Sequence, residues 1–103
     1  MTSMLKSLKL LSDPTRLRIL MLVGSEALSV AELQEILGMG QSRISTQLSQ
    51  LKTAGLVTDA RSGKNNMYSC SAAKDLLEVA QLAAEEVPEV AADQAALRHL
   101  LRK

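Results

Sequence analysis

The chain has 103 residues, one domain's worth, with no Phe or Trp and a single aromatic residue, Tyr68, so its core must be packed by Leu, Ile, Val, Met and Ala, which suits helices better than an aromatic-rich sandwich. The formal net charge of +1 hides an asymmetry: residues 1–71 hold eight basic and five acidic groups, residues 72–103 four basic and six acidic, so the first part offers a locally basic surface, either an electrostatic footprint for phosphates or an ordinary solvated face. Cys70, alone, excludes an intrachain disulfide framework, and no apolar run approaches a membrane span.

The first eleven residues place Leu5, Leu8 and Leu11 at the spacing of one helical face. Lys6 and Lys9 interrupt that stretch and Asp13-Pro14 follows with no cleavage-like site, so it reads as an amphipathic helix of a cytoplasmic protein and not as a signal peptide. Asp13 and Pro14 restart a second helix as cap and first-turn residue, through Leu17, Leu20 and Met21, with Gly24 as its stop. Ser29 and Glu32 spell a capping box, with Leu28 and Leu33 at the two ends of a hydrophobic staple. That third helix runs to a left-handed cap at Gly38. Gly40 starts a fourth helix with the narrow apolar stripe Ile44, Leu48 and Leu51, closed by Gly55. Two short helices joined by Gly38-Met39-Gly40 have the form of a helix-turn-helix.

Beyond Gly55 the pattern becomes strand-like. Leu56-Val57-Thr58 and Met67-Tyr68-Ser69-Cys70 flank the turn-forming run Arg61 to Asn66, giving a hairpin with a basic tip. Helical periodicity returns with Leu76, Leu77, Ala80, Ala83, Ala84 and Val87, is broken at Pro88, and resumes with Val90, Leu97, Leu100 and Leu101.

The fourth helix carries the functional signal. Outside its apolar stripe, every residue from Gln41 to Thr53 is non-acidic, and nearly all can hydrogen-bond. A helix face selected for stability alone favours Glu, Lys and Ala; Ser and Thr cost helix stability but match base edges, as Gln and Arg do. Gln41, Ser42, Arg43, Ser45, Thr46 and Gln47 are therefore the candidate base-reading residues on double-stranded DNA. In the hairpin, Arg61, Lys64 and Asn65 are candidates for phosphate, sugar or minor-groove contacts, the alternative being a tip that is basic only for solubility.

Leu11-Ser-Asp-Pro-Thr-Arg-Leu-Arg-Ile-Leu20 and Leu37-Gly-Met-Gly-Gln-Ser-Arg-Ile-Ser-Thr-Gln-Leu-Ser-Gln-Leu-Lys-Thr-Ala-Gly-Leu-Val57 together resemble the ArsR/SmtB family of winged-helix repressors, over roughly residues 4–87. The resemblance implies a mainly α fold with a small β-hairpin, a winged helix-turn-helix of order α-α-α-α-β-β-α, here with a C-terminal helix after Pro88. It also implies a homodimer built from the first and last helices, and repression relieved by an effector. The expected interface residues are Leu5 and Leu8 against Leu76, Leu77, Ala80 and Ala84. The family's sensing residues are missing. Ser29 and Ala31 stand where many relatives have metal-binding cysteines, the segment from Lys74 to Val87 has carboxylates but no His, and Cys70 has no partner for a dithiol sensor. Cys70 reads as a small buried hydrophobe and His99 as helix surface. No metal, no cofactor and no membrane are expected, and the effector is unnamed.

Residues 1–87 form the expected DNA-binding and dimerisation domain, and residues 88–103 a C-terminal helix that is a candidate linker. The alternative to a self-contained repressor is the DNA-binding part of a longer S-adenosylmethionine-dependent methyltransferase fusion. In that case Val90, Leu97, Leu100 and Leu101 should be largely exposed. A pure dimerisation module is the third reading, and it leaves the acid-free helix unexplained. Within the 103 residues there is no phosphate loop, glycine fingerprint or nucleophile–base set, so no enzyme activity is expected.

Overall fold

Asp13 and Pro14 divide the first apolar stretch into two helices, α1 (Met4–Leu11) and α2 (Pro14–Ser25). The computed structural model describes residues 3–102. The Asp13 carboxylate accepts the Arg16 backbone N–H at 3.0 Å, filling one of the donors a helix start leaves open. α2 is the centre of the molecule: Leu17, Ile19, Leu20, Met21, Leu22 and Val23 are all buried, the mark of a helix apolar on most of its sides. It continues one residue past Gly24, the expected stop.

The third helix, α3 (Val30–Leu37), has the complete capping box. The Glu32 N–H donates to Ser29 Oγ at 3.2 Å and the Ser29 N–H to Glu32 Oε1 at 2.9 Å. Leu28 and Leu33, the staple pair, are fully buried. Gly38 closes the helix at φ +68°, a left-handed position that strains any residue with a Cβ. Met39 and Gly40 lead into α4 (Gln41–Thr53), whose buried side is Ile44, Leu48 and Leu51. α4 ends in a Schellman arrangement: the Leu56 N–H donates to Leu51 O and the Gly55 N–H to Lys52 O, both at 2.9 Å.

Two antiparallel strands follow, β1 (Val57–Ser62) and β2 (Asn65–Cys70). The hairpin is longer and its turn tighter than expected. Arg61 pairs with Asn66 and Ser62 with Asn65, leaving a two-residue loop, Gly63-Lys64. Positive φ at Gly63 and not at Lys64 fits a primed turn that matches strand twist. Leu28, just before α3, exchanges backbone hydrogen bonds with Tyr68 and docks the hairpin on the helices.

The chain returns along α5 (Lys74–Ala84), turns at Pro88 and ends in α6 (Glu89–Leu101). α6 lies against α2 and α3. Arg18 and Asp93 join α2 to α6 through two hydrogen bonds of 2.8 Å, Nε to Oδ2 and Nη2 to Oδ1. The exposure expected of a linker helix is found at Leu101, 52% exposed, but Leu97 is buried in the core and Val90 and Leu100 are half-buried. The architecture is thus mainly α with one β-hairpin, in the order α1-α2-α3-α4-β1-β2-α5-α6.

Candidate nucleic-acid interface

Because α4 spends its apolar stripe on the core, its remaining residues face outward. Gln41, Ser42, Arg43 and Thr46 are exposed, and Ser45 and Gln47 are half-buried. Gln41 Nε2 donates to Ser45 Oγ one turn on, at 2.7 Å. Arg43 Nη2 donates to Thr15 Oγ1 on α2 at 3.1 Å, so this guanidinium is steered towards the start of α2. The first turn of α4 carries no acid, which leaves its positive dipole end uncompensated and suited to an anionic groove.

Arg16 is a residue that the sequence reading missed. It sits in the first turn of α2. Its Nε donates to Leu10 O at 2.6 Å, and its Nη1 donates to Gln47 Oε1 at 3.1 Å and to Gln50 Oε1 at 3.0 Å. One guanidinium therefore links α1, α2 and the outer face of α4. The partners are 31 and 34 residues away in sequence, and no local pattern could have found them.

In the hairpin, Arg61, Lys64 and Asn65 are all exposed, and neither Arg61 nor Lys64 enters an ion pair among the described residues. The hairpin root is fastened to α4. Lys52 Nζ lies 2.7 Å from Asp59 Oδ1, and Asn66 Nδ2 donates to Asp59 Oδ2 at 2.6 Å. The lysine hydrogen bond, followed by that of Asn66, holds the Asp59 carboxyl below the usual aspartate range, and the same partner raises Lys52. Asp59, the only acid between Gly40 and Ser71, is therefore neutralised locally.

The residues expected at a dimer interface divide in two. Leu5 is 79% exposed and Leu8 also reaches solvent, but Leu76, Ala80 and Ala84 are buried in the protomer's own core, with Leu77 half-buried against it. The division has a simple cause: α5 turns its Leu76–Ala80–Ala84 stripe inward against its own domain. The apolar residues left outside on α1 and α5 are Met4, Leu5, Leu8, Val79 and Leu82, the last 66% exposed. Cys70 is half-buried beside the core, and His99 is exposed on α6. No helix among the described residues is long and apolar enough to cross a membrane.

Two helices joined by a three-residue turn, the second with an acid-free polar face, followed by a basic hairpin, define a winged helix-turn-helix protein of the DNA-binding regulator class. The sequence signature described as "Bacterial regulatory protein, arsR family" matches residues 13–59. The chain is 37% identical over 95 residues to the uncharacterized HTH-type transcriptional regulator Rv0081 of Mycobacterium tuberculosis, an alignment covering 91% of this chain and 82% of that protein. It is 41% identical over 63 residues to the HTH-type transcriptional regulator NmtR of the same organism, covering 61% of this chain and about half, 52%, of that relative's length. Among solved structures, Rv0081 superposes with a TM-score of 0.66 at 35% identity, covering 85% of this chain and 88% of that one. The transcriptional repressor BigR of Xylella fastidiosa gives 0.67 at 30%, covering 80% of each chain. The homodimeric winged helix-turn-helix DNA-binding domain Mb0332 of Mycobacterium bovis gives 0.65 at 28%, covering 79% and 74%. The protein belongs to the arsR family of bacterial regulatory proteins.

Proposed function

We propose that the protein is a homodimeric, sequence-specific repressor. α4 enters the major groove of double-stranded DNA with Gln41, Ser42, Arg43, Ser45, Thr46 and Gln47 at base edges, while Arg61, Lys64 and Asn65 of the wing hold backbone or minor groove. The observation that carries the reading is the outer face of α4: polar, free of acids, and braced from behind by Arg16. BigR is a repressor and the Mb0332 domain a homodimer, and similarity to them supports the repressor and dimer parts. In the dimer, Met4, Leu5 and Leu8 of α1 meet Val79 and Leu82 of α5 across a two-fold axis. Residues 1–87 carry DNA binding and dimerisation, and α6 braces α2 through Arg18 and Asp93.

The releasing effector is not a metal ion. Ligand chemistry supports this, since Ser29 and Ala31 offer no thiolate and a dimer has only two copies each of Cys70 and His99. The protein works in the cytoplasm and catalyses no reaction. For the methyltransferase-fusion reading α6 is divided, with Leu97 buried in the domain core and Leu101 exposed.

The test is binding to the DNA upstream of the protein's own gene against a scrambled duplex of equal length. The expected result is a preference of roughly 10³-fold or more at physiological salt. Equal affinity for the two duplexes would overturn sequence-specific repression.

A further inference from the structure

Arg16 constrains what the recognition helix can read. A guanidinium has donors only, so the amide atoms of Gln47 and Gln50 facing it at 3.1 and 3.0 Å must be their oxygens. The nitrogens of the two amides then form the free edge. The guanidinium is itself fixed by its third bond, Nε to Leu10 O at 2.6 Å, and by its place in the first turn of α2 beside the Asp13 cap. The Gln47 amide is thereby held in one orientation before any DNA arrives.

Glutamine reads adenine with both ends of its amide, the oxygen accepting from N6–H and the nitrogen donating to N7. A Gln47 whose oxygen is turned back to Arg16 leads outward with its N–H donors. The major-groove edge that offers two acceptors and no donor is guanine's, at N7 and O6, whereas thymine offers O4 alone beside its methyl group. We propose that Arg16 is a positioning residue that makes Gln47 a donor-only reader, so that the operator base pair facing Gln47 carries guanine and not adenine. Gln50, three residues further on, presents its nitrogen in the same way and suits a phosphate oxygen. The inference rests on α4 being the base-reading helix.

The experiment is an operator scan with every base substituted at every position, run on the wild type and on Gln47→Ala, Arg16→Met and Gln47→Glu, with a thermal melt of each variant. Gln47→Ala should flatten the preference at one position per half-site. At that position the wild type should favour guanine over adenine by roughly 5- to 100-fold. Arg16→Met should cut this ratio at least about fivefold there, and should leave unchanged the positions that Gln47→Ala does not touch. A mere loss of helix packing would weaken all positions together. Gln47→Glu keeps the Arg16 partner but removes the donors, and should move the preference towards cytosine, whose N4 donates; it serves as the readout if Arg16→Met does not fold. A wild-type preference for adenine at that position overturns the proposal, as does a guanine-to-adenine ratio unchanged in Arg16→Met or a guanine preference kept in Gln47→Glu. Failure of the wild type to discriminate any duplex is a different outcome, which removes the DNA-reading assignment of α4 itself.

Discussion

Lys52 Nζ and Asp59 Oδ1 stand 2.7 Å apart and tie the last turn of α4 to the first strand of the wing. Both groups are solvent-accessible, so the pair adds little to global stability. Its effect is to orient the hairpin relative to the recognition helix. Asp59→Asn should leave the melting temperature within about 2 °C of wild type and weaken DNA binding severalfold, chiefly through poorer placement of Lys64. An unchanged affinity would show that the wing is oriented without this pair.

The same pair sets a pH window. The Asp59 carboxyl lies below the ordinary aspartate value of about 3.9, so its contribution is complete above that value and is lost as pH falls through the lowered one. Lys52 is raised, so its contribution is complete below about 10.4 and is lost as pH rises through the raised value. The tie is therefore intact throughout the physiological range. A carbon-detected NMR titration of the Asp59 carboxyl should give a midpoint below 3.9 in the wild type and a higher one in Lys52→Met. A midpoint insensitive to Lys52 would contradict the pairing.

The α2–α6 brace is of another kind, because Asp93 is buried and both its oxygens are engaged by Arg18. The Asp93 hydrogen bonds raise the Arg18 pKa. Asp93→Ala strands a half-buried guanidinium and should cost about 3 kcal/mol in urea unfolding. Less than 1 kcal/mol of loss would mean that α6 is held by its apolar contacts alone.

Where each apolar side chain of α5 points separates dimerisation from folding. Leu82→Glu places a charge on the outer face and should give a folded monomer in analytical ultracentrifugation, with Leu5→Glu doing the same from α1. Ala80→Glu puts a carboxylate into the protomer's core and should lower stability by several kcal/mol. A folded, dimeric Leu82→Glu variant would move the interface elsewhere.

This division was only half legible in the sequence. The apolar periods of α1 and α5 could be read from Leu5, Leu8, Leu76 and Ala80, although α5 ends at Ala84 and not at the Pro88 break. An apolar stripe, however, does not say whether it is buried by its own domain or by a second copy. Local signals were more informative: Ser29–Glu32, Gly38, Gly55 and the stripe of α4 are fixed by backbone hydrogen bonding within a few residues, and each lies where the pattern placed it. Arg16 with Gln47, and Arg18 with Asp93, span 31 and 75 residues. Nothing in the sequence around them marks these pairs, since they depend on how the helices pack.

The proposed metal independence rests on donor chemistry. Stoichiometric zinc, cadmium or arsenite should leave operator affinity unchanged, measured by anisotropy with and without a chelator. Tight zinc binding by calorimetry, with a change in affinity, would show that the carboxylates of α5 and α6 form a sensor site across the dimer.

The central claim, that α4 reads bases while the wing holds the backbone, is tested most directly by measuring Arg43→Ala and Lys64→Ala on operator and scrambled duplexes across a range of salt concentrations. Arg43→Ala should weaken the operator by about 1–3 kcal/mol and barely change scrambled DNA. Lys64→Ala should weaken both duplexes alike and flatten the slope of log K against log salt by roughly 2, one contact from each protomer. Equal losses on both duplexes for Arg43→Ala would make that residue a phosphate anchor, and no loss on any duplex for either variant would contradict the assignment of this face to DNA.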